Sequence, residues 1–183
     1  MSNPNNKRRK VTMRKSILLL VLSLVLLLTF GINVYAQNKE VSETGISTFY
    51  VTSKVLPLGE GTIYFAYEGT GLTVNDTGGG LFHNATVRAL GGMKMEKGVY
   101  TDERGWCVWN LQGGDKVFAT YEMAGEAKPG SVGFAKGMWT FTGGTGKAAG
   151  IQGSFETNRK TVRSTMEGVG IAYNKGTIRY TLP

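Results

Sequence analysis

The sequence predicts an all-β domain that follows an N-terminal signal helix, and three observations support this fold class. All but one of the 27 glycines lie after residue 36, at more than twice the average share of about 7%. Apolar residues alternate with polar ones in several segments, as in Val117, Ala119 and Tyr121, which is the period of a strand with one buried face. Strand-like segments recur at a spacing of roughly 8–12 residues, which is typical of a β-sandwich or barrel.

These segments occupy one domain, predicted at residues 46–183, and leave little room for helices because glycine interrupts them so often. The segment 37–45 is polar and is predicted to be a loose N-terminal lead. Around Gly168 and Gly170 the apolar face of one long segment switches parity, which predicts a β-bulge or a barrel corner. The predicted strands are 46–55, 61–68, 71–75, 82–90, 97–102, 105–111, 115–123, 132–142, 149–157, 161–173 and 176–182.

Residues 1–36 have the three parts of a signal peptide. A start with six basic and no acidic residues precedes an apolar run at 17–30, and small residues lead to a predicted cleavage between Ala36 and Gln37. The apolar run is shorter than the roughly 20 residues of a spanning helix, which favours cleavage over an uncleaved anchor. No cysteine offers a lipoprotein site. The protein is therefore predicted to be exported, periplasmic or extracellular, and to contact the membrane only through the signal peptide before cleavage.

The charge balance argues against nucleic acid as a partner. The whole chain carries a net charge of +8, but six of its 21 basic residues lie in the leader. Residues 37–183 hold 15 basic and 13 acidic residues, a net charge of +2. The one basic block in this part, at 158–160, is interpreted as a solvated turn. The high isoelectric point is thus mainly a property of the leader, where translocation explains it.

Single copies of histidine and cysteine argue against metal chemistry. His83 and Cys107 are the only residues of their types, and a site built from His and Cys needs more ligands than these two supply. No metal and no cofactor are predicted. His83 is expected to face solvent or to cap a loop. Cys107 lies among large apolar residues and is expected to be a buried, inert side chain, with intermolecular pairing as the alternative.

A glycine-rich run at 143–147 is similar in composition to a phosphate-binding loop but lacks the sequence pattern of a Walker motif. A Walker motif needs glycine where Phe141 stands and Ser or Thr where Ala148 stands. The run lies between two strand-like segments, with no helix to supply an anion-binding N-terminus. It is therefore predicted to be a tight connection between strands, with positive φ at several positions.

The longer run at 139–153 resembles a signature of small secreted bacterial proteins with a calycin-like barrel, akin to allene oxide cyclase and plant dirigent proteins. Segments at 105–108 and 114–118 resemble the approach to that signature, whereas Ala148 stands where an aromatic residue is common. The resemblance implies an antiparallel barrel of about eight strands and a homo-oligomer, but no catalytic residue transfers. The matching residues are Phe141, Gly143, Gly144, Gly146, Lys147, Gly150, Ile151 and Gly153.

Three functions remain open from the sequence. The first is non-enzymatic binding of a small apolar ligand or a partner protein, since barrels of about eight strands can hold one small ligand. The second is an isomerase or cyclase, which requires a carboxylate inside the barrel; Glu68 and Glu122 are the candidates. The third is a structural role with strand faces buried between subunits, indicated by the segment 62–67, which is apolar on both faces. The tryptophans and tyrosines are expected to form core or to line a ligand cavity.

Overall fold

The computed structural model describes residues 39–127, 132–162 and 164–183. The predicted signal peptide, its helix and its cleavage site at Ala36 and Gln37 lie outside these residues. Within the described ranges no helix is long and apolar enough to cross a membrane.

Eight antiparallel strands form a closed barrel in which each strand pairs with its neighbours in the sequence and β1 pairs with β8. The all-β, eight-stranded antiparallel fold is therefore confirmed. A barrel of this size has an interior that side chains fill or that holds one small ligand. The strands are β1 (Lys39–Gly59), β2 (Thr62–Asn75), β3 (Ala85–Glu96), β4 (Val99–Asn110), β5 (Lys116–Glu126), β6 (Gly133–Gly144), β7 (Ser154–Val162) and β8 (Val169–Leu182).

β1 begins earlier than the sequence indicates. Residues 39–45 belong to this strand rather than to a loose lead, because they pair with the end of β8, from Lys39 opposite Leu182 to Gly45 opposite Gly176. Their polar character misled the prediction, since alternate residues face solvent and the one carboxylate that faces inward, Glu43, is buried.

Two strands of the fold are continuous where the sequence predicted a break at glycine. The predicted strands 61–68 and 71–75 form the single strand β2, and 97–102 and 105–111 form β4. The glycines between them permit close approach of backbones rather than turns: a Cβ at Gly71 would collide with the carbonyl oxygen of Thr48 on β1. Glycine inside a strand marks such close approach as readily as it marks a turn.

The predicted long strand at 161–173 is two strands. β7 ends at Val162, and β8 begins at Val169. Gly168 has a φ of +71° and belongs to the connection between them, where a left-handed backbone favours glycine. Gly170 lies in β8 opposite Val51 of β1. The switch of parity around these glycines therefore marks a turn between two strands rather than a bulge or a corner within one strand.

One end of the barrel is packed with aromatic rings. The loop 76–84 carries Phe82 into this end, where its ring centroid lies 5.3 Å from that of Trp109 and 5.6 Å from those of Phe141 and Tyr180. Cys107 is 2% exposed and has no disulfide partner, which agrees with the prediction of a buried side chain. Burial raises the pKa of its thiol, so that the reactive thiolate is disfavoured. The ring contacts of Phe82 close the barrel at the end where loop 76–84 lies.

The glycine-rich run connects β6 and β7 through a short 3-10 helix, Gly146–Ala148. Gly146 has a φ of +53°, and a Cβ there would collide with the carboxylate of Asp115. That carboxylate accepts a hydrogen bond of 3.0 Å from the backbone N–H of Lys147. The run thus joins two strands and rests on the loop before β5. The remaining residues of the signature are the buried Phe141 and Ile151 and the glycines Gly143, Gly144, Gly150 and Gly153.

Candidate functional site

The end of the barrel opposite Phe82 contains an apolar cavity of about 170 Å³. Its size is close to that of an engineered apolar cavity of about 150 Å³ that binds benzene. Strand periodicity creates it, because every second residue near this end of β1, β2, β3 and β8 faces inward and most of these residues are apolar. The lining residues are Val51, Ser53, Phe65, Tyr67, Met93, Met95, Tyr100, Ala127, Arg159, Thr161, Gly170 and Ala172.

Arg159 lines this cavity and forms a buried ion pair with Glu103, and we call this pair and the tyrosines around it the floor. Glu103 of β4 is 0% exposed, and Arg159 of β7 donates to both of its carboxylate oxygens at 2.5 Å. The Tyr67 hydroxyl also donates to Glu103 Oε1, and Arg159 Nη2 donates to the Tyr100 hydroxyl at 2.8 Å. The Tyr121 hydroxyl lies 2.7 Å from that of Tyr67. Because the single proton of Tyr67 goes to Glu103, Tyr121 is the donor in this last bond.

The protonation states of the floor follow from burial and charge. Burial alone lowers the pKa of Arg159, but the adjacent Glu103 carboxylate more than offsets this effect and the pKa is raised. Burial and the same carboxylate raise the pKa of Tyr67. Arg159 is therefore a cation and Tyr67 a neutral donor at every physiological pH. Three hydrogen bonds, two from Arg159 and one from Tyr67, hold the Glu103 carboxylate, which thereby organises the floor.

The sequence indicated Glu68 and Glu122 as candidates for a carboxylate inside the barrel, and this prediction is wrong. Glu68 and Glu122 lie on the outer surface, where Glu68 pairs with Arg88 at 2.6 Å and Glu122 with Arg104 at 3.4 Å. Glu68 follows the inward-facing Tyr67, so strand alternation directs it outward. Neither residue can contact a molecule inside the barrel.

Sequence reasoning missed Glu103 and Arg159 for two different reasons. The pairing of β4 with β5 shifts register between Tyr100 and Glu103, so both residues face inward although three positions separate them. Simple alternation from Tyr100 would have placed Glu103 outside. Arg159 lies in the block at 158–160 that was interpreted as a solvated turn, but this block is part of β7. The one sequence signal that Arg159 faces inward was its position between Asn158 and Lys160, two polar residues that face outward.

Alkaline pH should unfold the barrel through its buried tyrosines. Burial is the main cause that raises the pKa of all four, whereas tyrosine in an unfolded chain ionises near pH 10. The neutral form is thus favoured by folding, and its contribution to stability is complete below about pH 10 and is lost as pH rises further. The tyrosines are Tyr67, Tyr100, Tyr121 and Tyr180.

Ultraviolet absorbance of tyrosinate, followed together with near-ultraviolet circular dichroism, tests this prediction. We expect the last tyrosines to ionise in the same transition that removes the tertiary signal. Complete ionisation with the tertiary signal intact would contradict it.

A second buried carboxylate, Glu43, holds the closed end together. It accepts hydrogen bonds from Asn75 Nδ2 at 2.5 Å, from the backbone N–H groups of Leu81 and Phe82 at 2.7 and 3.1 Å, and from the Tyr180 hydroxyl at 2.5 Å. These bonds fasten the loop that carries Phe82. The expected loop-capping role of His83 fits this region, where its Nδ1 accepts from the backbone N–H of Asn75 at 3.2 Å.

The outer face carries exposed apolar residues. Trp106 of β4 is 66% exposed and stands opposite Leu90 of β3, which is 51% exposed. Scattered exposed apolar residues are normal on a protein surface, but a contiguous group is typical of an interaction site. We call this pair the Trp106 face.

Comparisons with known proteins add no relative. The chain matches no protein-family model, and neither the curated proteins nor the solved structures contain a significant match. Among the residues that the structure describes, no group of three or more His, Cys, Asp and Glu side chains is placed to hold a metal ion. The eight-stranded antiparallel barrel fits a calycin-like fold.

Proposed function

We propose that this protein is an exported, non-enzymatic barrel that binds one small apolar molecule in the cavity at its open end. The observation that carries the proposal is the cavity of about 170 Å³ with its mostly apolar lining. Ligand sites are concave, largely apolar and supplied with a few polar groups that fix orientation. The side chains above the floor give the apolar surface, and Tyr67, Tyr100 and Arg159 give the polar one.

The size of the cavity limits the ligand. Pockets for drug-sized molecules are usually about 300–1,000 Å³, so this cavity holds a single ring or the end of a longer apolar chain. Met93 and Met95 line it, and methionine adapts to ligands of different shape because its side chain is unbranched and polarisable. We therefore expect modest selectivity among small apolar molecules.

Filling the cavity should abolish binding. Gly170 lines it, and a Cβ built on Gly170 makes only ordinary contacts, 3.7 Å to Val51. The variant Gly170→Phe therefore fits the backbone and places a ring in the ligand's space. With toluene as the probe and titration calorimetry as the measurement, we expect affinity to fall at least tenfold.

The matched control is Thr52→Phe, which adds the same ring at an exposed position of β1. Its affinity for toluene should equal that of the unmodified protein. Absence of toluene binding to the unmodified protein, or equal binding to Gly170→Phe, would refute the proposal.

Association through the Trp106 face is a second candidate function, and the exposure of Trp106 and Leu90 favours it. We expect the protein to form a homo-oligomer and Trp106→Lys to shift it towards the monomer, because a desolvated lysine opposes burial of this surface. Light scattering over a range of protein concentrations measures the change. Met166→Lys, which replaces another exposed apolar residue in the β7–β8 connection, is the control. A protein that is monomeric at every concentration excludes this role.

The isomerase alternative and the resemblance to allene oxide cyclase and dirigent proteins are further proposals. The inward position of Glu103 supports the first, although Arg159 and Tyr67 already occupy its oxygens. The closed eight-stranded barrel supports the second. A substrate turned over by the unmodified protein but not by Gly170→Phe would favour an enzyme over a binding protein.

A further inference from the structure

Several polar atoms inside the barrel have no hydrogen-bond partner in the protein. In the part of the chain that the structure describes, they are Asn75 Oδ1, Trp139 Nε1, Arg159 Nε and Asn174 Oδ1. A buried donor or acceptor without a partner costs about 1–3 kcal/mol, and native proteins leave few such groups. Four in one barrel therefore call for an explanation.

Three of these side chains meet at one place. Trp139, Arg159 and Asn174 line the same interior cavity of about 30 Å³. It lies between the aromatic closed end and the apolar cavity at the open end, because Val51, Tyr67, Arg159 and Ala172 line both cavities. Asn75 lines a neighbouring cavity of about 20 Å³, together with Trp139 and Asn174.

The chemistry of the three atoms defines what binds there. Trp139 Nε1–H and Arg159 Nε–H are donors only, and Asn174 Oδ1 is an acceptor. A partner for all three must accept two hydrogen bonds and donate one, which excludes a metal ion and any anion that carries no hydrogen. A neutral oxygen that carries hydrogen meets the requirement.

We propose that the cavity between Trp139, Arg159 and Asn174 is a binding site for an internal water molecule. A buried water needs about 10–15 Å³ of such space and usually makes about three hydrogen bonds, and the site offers both. The water joins the ion pair at the floor of the open cavity to the indole of Trp139 in the core. It thereby fixes the guanidinium plane of Arg159. This site does not depend on the proposed ligand.

The three tryptophans provide an internal test. Trp139 and Trp109 are both buried, but Trp109 Nε1 donates directly to Thr73 Oγ1 at 3.1 Å. In protein with ¹⁵N-labelled indole groups, we expect a cross-relaxation peak of a long-lived water at the Trp139 N–H and none at the Trp109 N–H. The exposed Trp106 reports exchange with bulk water. A Trp139 indole that lacks this peak, as Trp109 does, would overturn the proposal.

Removal of the acceptor tests the site residue by residue. Asn174→Leu keeps the size of the side chain and removes Oδ1, so the water peak at Trp139 should disappear. Asn158→Leu makes the same change at an exposed position of β7 and should leave the peak unchanged. A water peak that persists in Asn174→Leu would refute the assignment. If this variant does not fold, the peak in the unmodified protein still decides the proposal.

Discussion

Replacement of Arg159 by methionine is expected to lower the free energy of unfolding by about 3–5 kcal/mol. The variant leaves the Glu103 carboxylate buried without its partner, and loss of one member of a buried ion pair has a cost of this size. Urea denaturation measures the change as a shift of the midpoint at constant slope. The same variant should weaken toluene binding, because the floor of the cavity loses its fixed geometry.

An exposed pair of the same chemistry is the control. Arg88 and Glu68 form an ion pair on the outer face, with their side chains 63% and 43% exposed, and Arg88→Met should shift the urea midpoint far less than Arg159→Met because solvent screens an exposed pair. Adding Glu103→Met to Arg159→Met removes the unpaired charge and should restore much of the lost stability. An effect of Arg159→Met as small as that of Arg88→Met would show that the pair is not buried.

Replacement of Glu43 by glutamine is expected to have the second largest effect, a loss of about 3 kcal/mol or more. Glu43 accepts four hydrogen bonds, whereas a glutamine amide directs its own N–H groups at some of the same donors. At least two bonds to a charged group are then lost, at about 1.5–3 kcal/mol each. Denaturation measures the global change, and hydrogen exchange at the amides of Leu81 and Phe82 locates it.

Glu40→Gln is the matched control, because Glu40 lies on the same strand and is exposed. Its effect should stay within about 0.5 kcal/mol, as for most surface substitutions. Tyr180→Phe removes one of the four hydrogen bonds to Glu43. Its loss of unfolding free energy should lie between those of Glu43→Gln and Glu40→Gln. Unchanged protection of the Leu81 and Phe82 amides in Glu43→Gln would contradict the proposed anchoring of the loop.

The sequence predicted those parts of the fold that depend on local periodicity. Alternation from Val117 to Met123 correctly identified the buried face of β5, because this strand keeps one parity throughout its inward-facing residues. Gly71 misled the division into strands, since its role is a close contact with the backbone of Thr48 on the neighbouring strand β1, which local periodicity does not reveal. The turn at Gly168 was interpreted as a bulge or a barrel corner because all of these structures place glycine beside a change of parity.

The candidate site was less accessible, for reasons that are tertiary. Glu103 faces inward only because the β4–β5 register shifts before it, and a sequence pattern does not record a register. Phe82 fills the closed end from a loop, so no strand periodicity marks it as core. The volume of the open cavity depends on how far Met93, Met95 and Phe65 extend towards one another. Each of these facts requires the packed structure.

The contrast between the two ends of the barrel has an evolutionary consequence. Phe82, Trp109 and Glu43 secure the fold at one end, while Val51, Met93 and Met95 line the apolar cavity at the other. Substitutions at distant sites have nearly additive effects on stability, so changes at the hollow end leave the packed end intact. The residues that line the cavity can therefore diverge in the descendants of this chain while the architecture persists, and under the proposed function such divergence changes which ligand is bound.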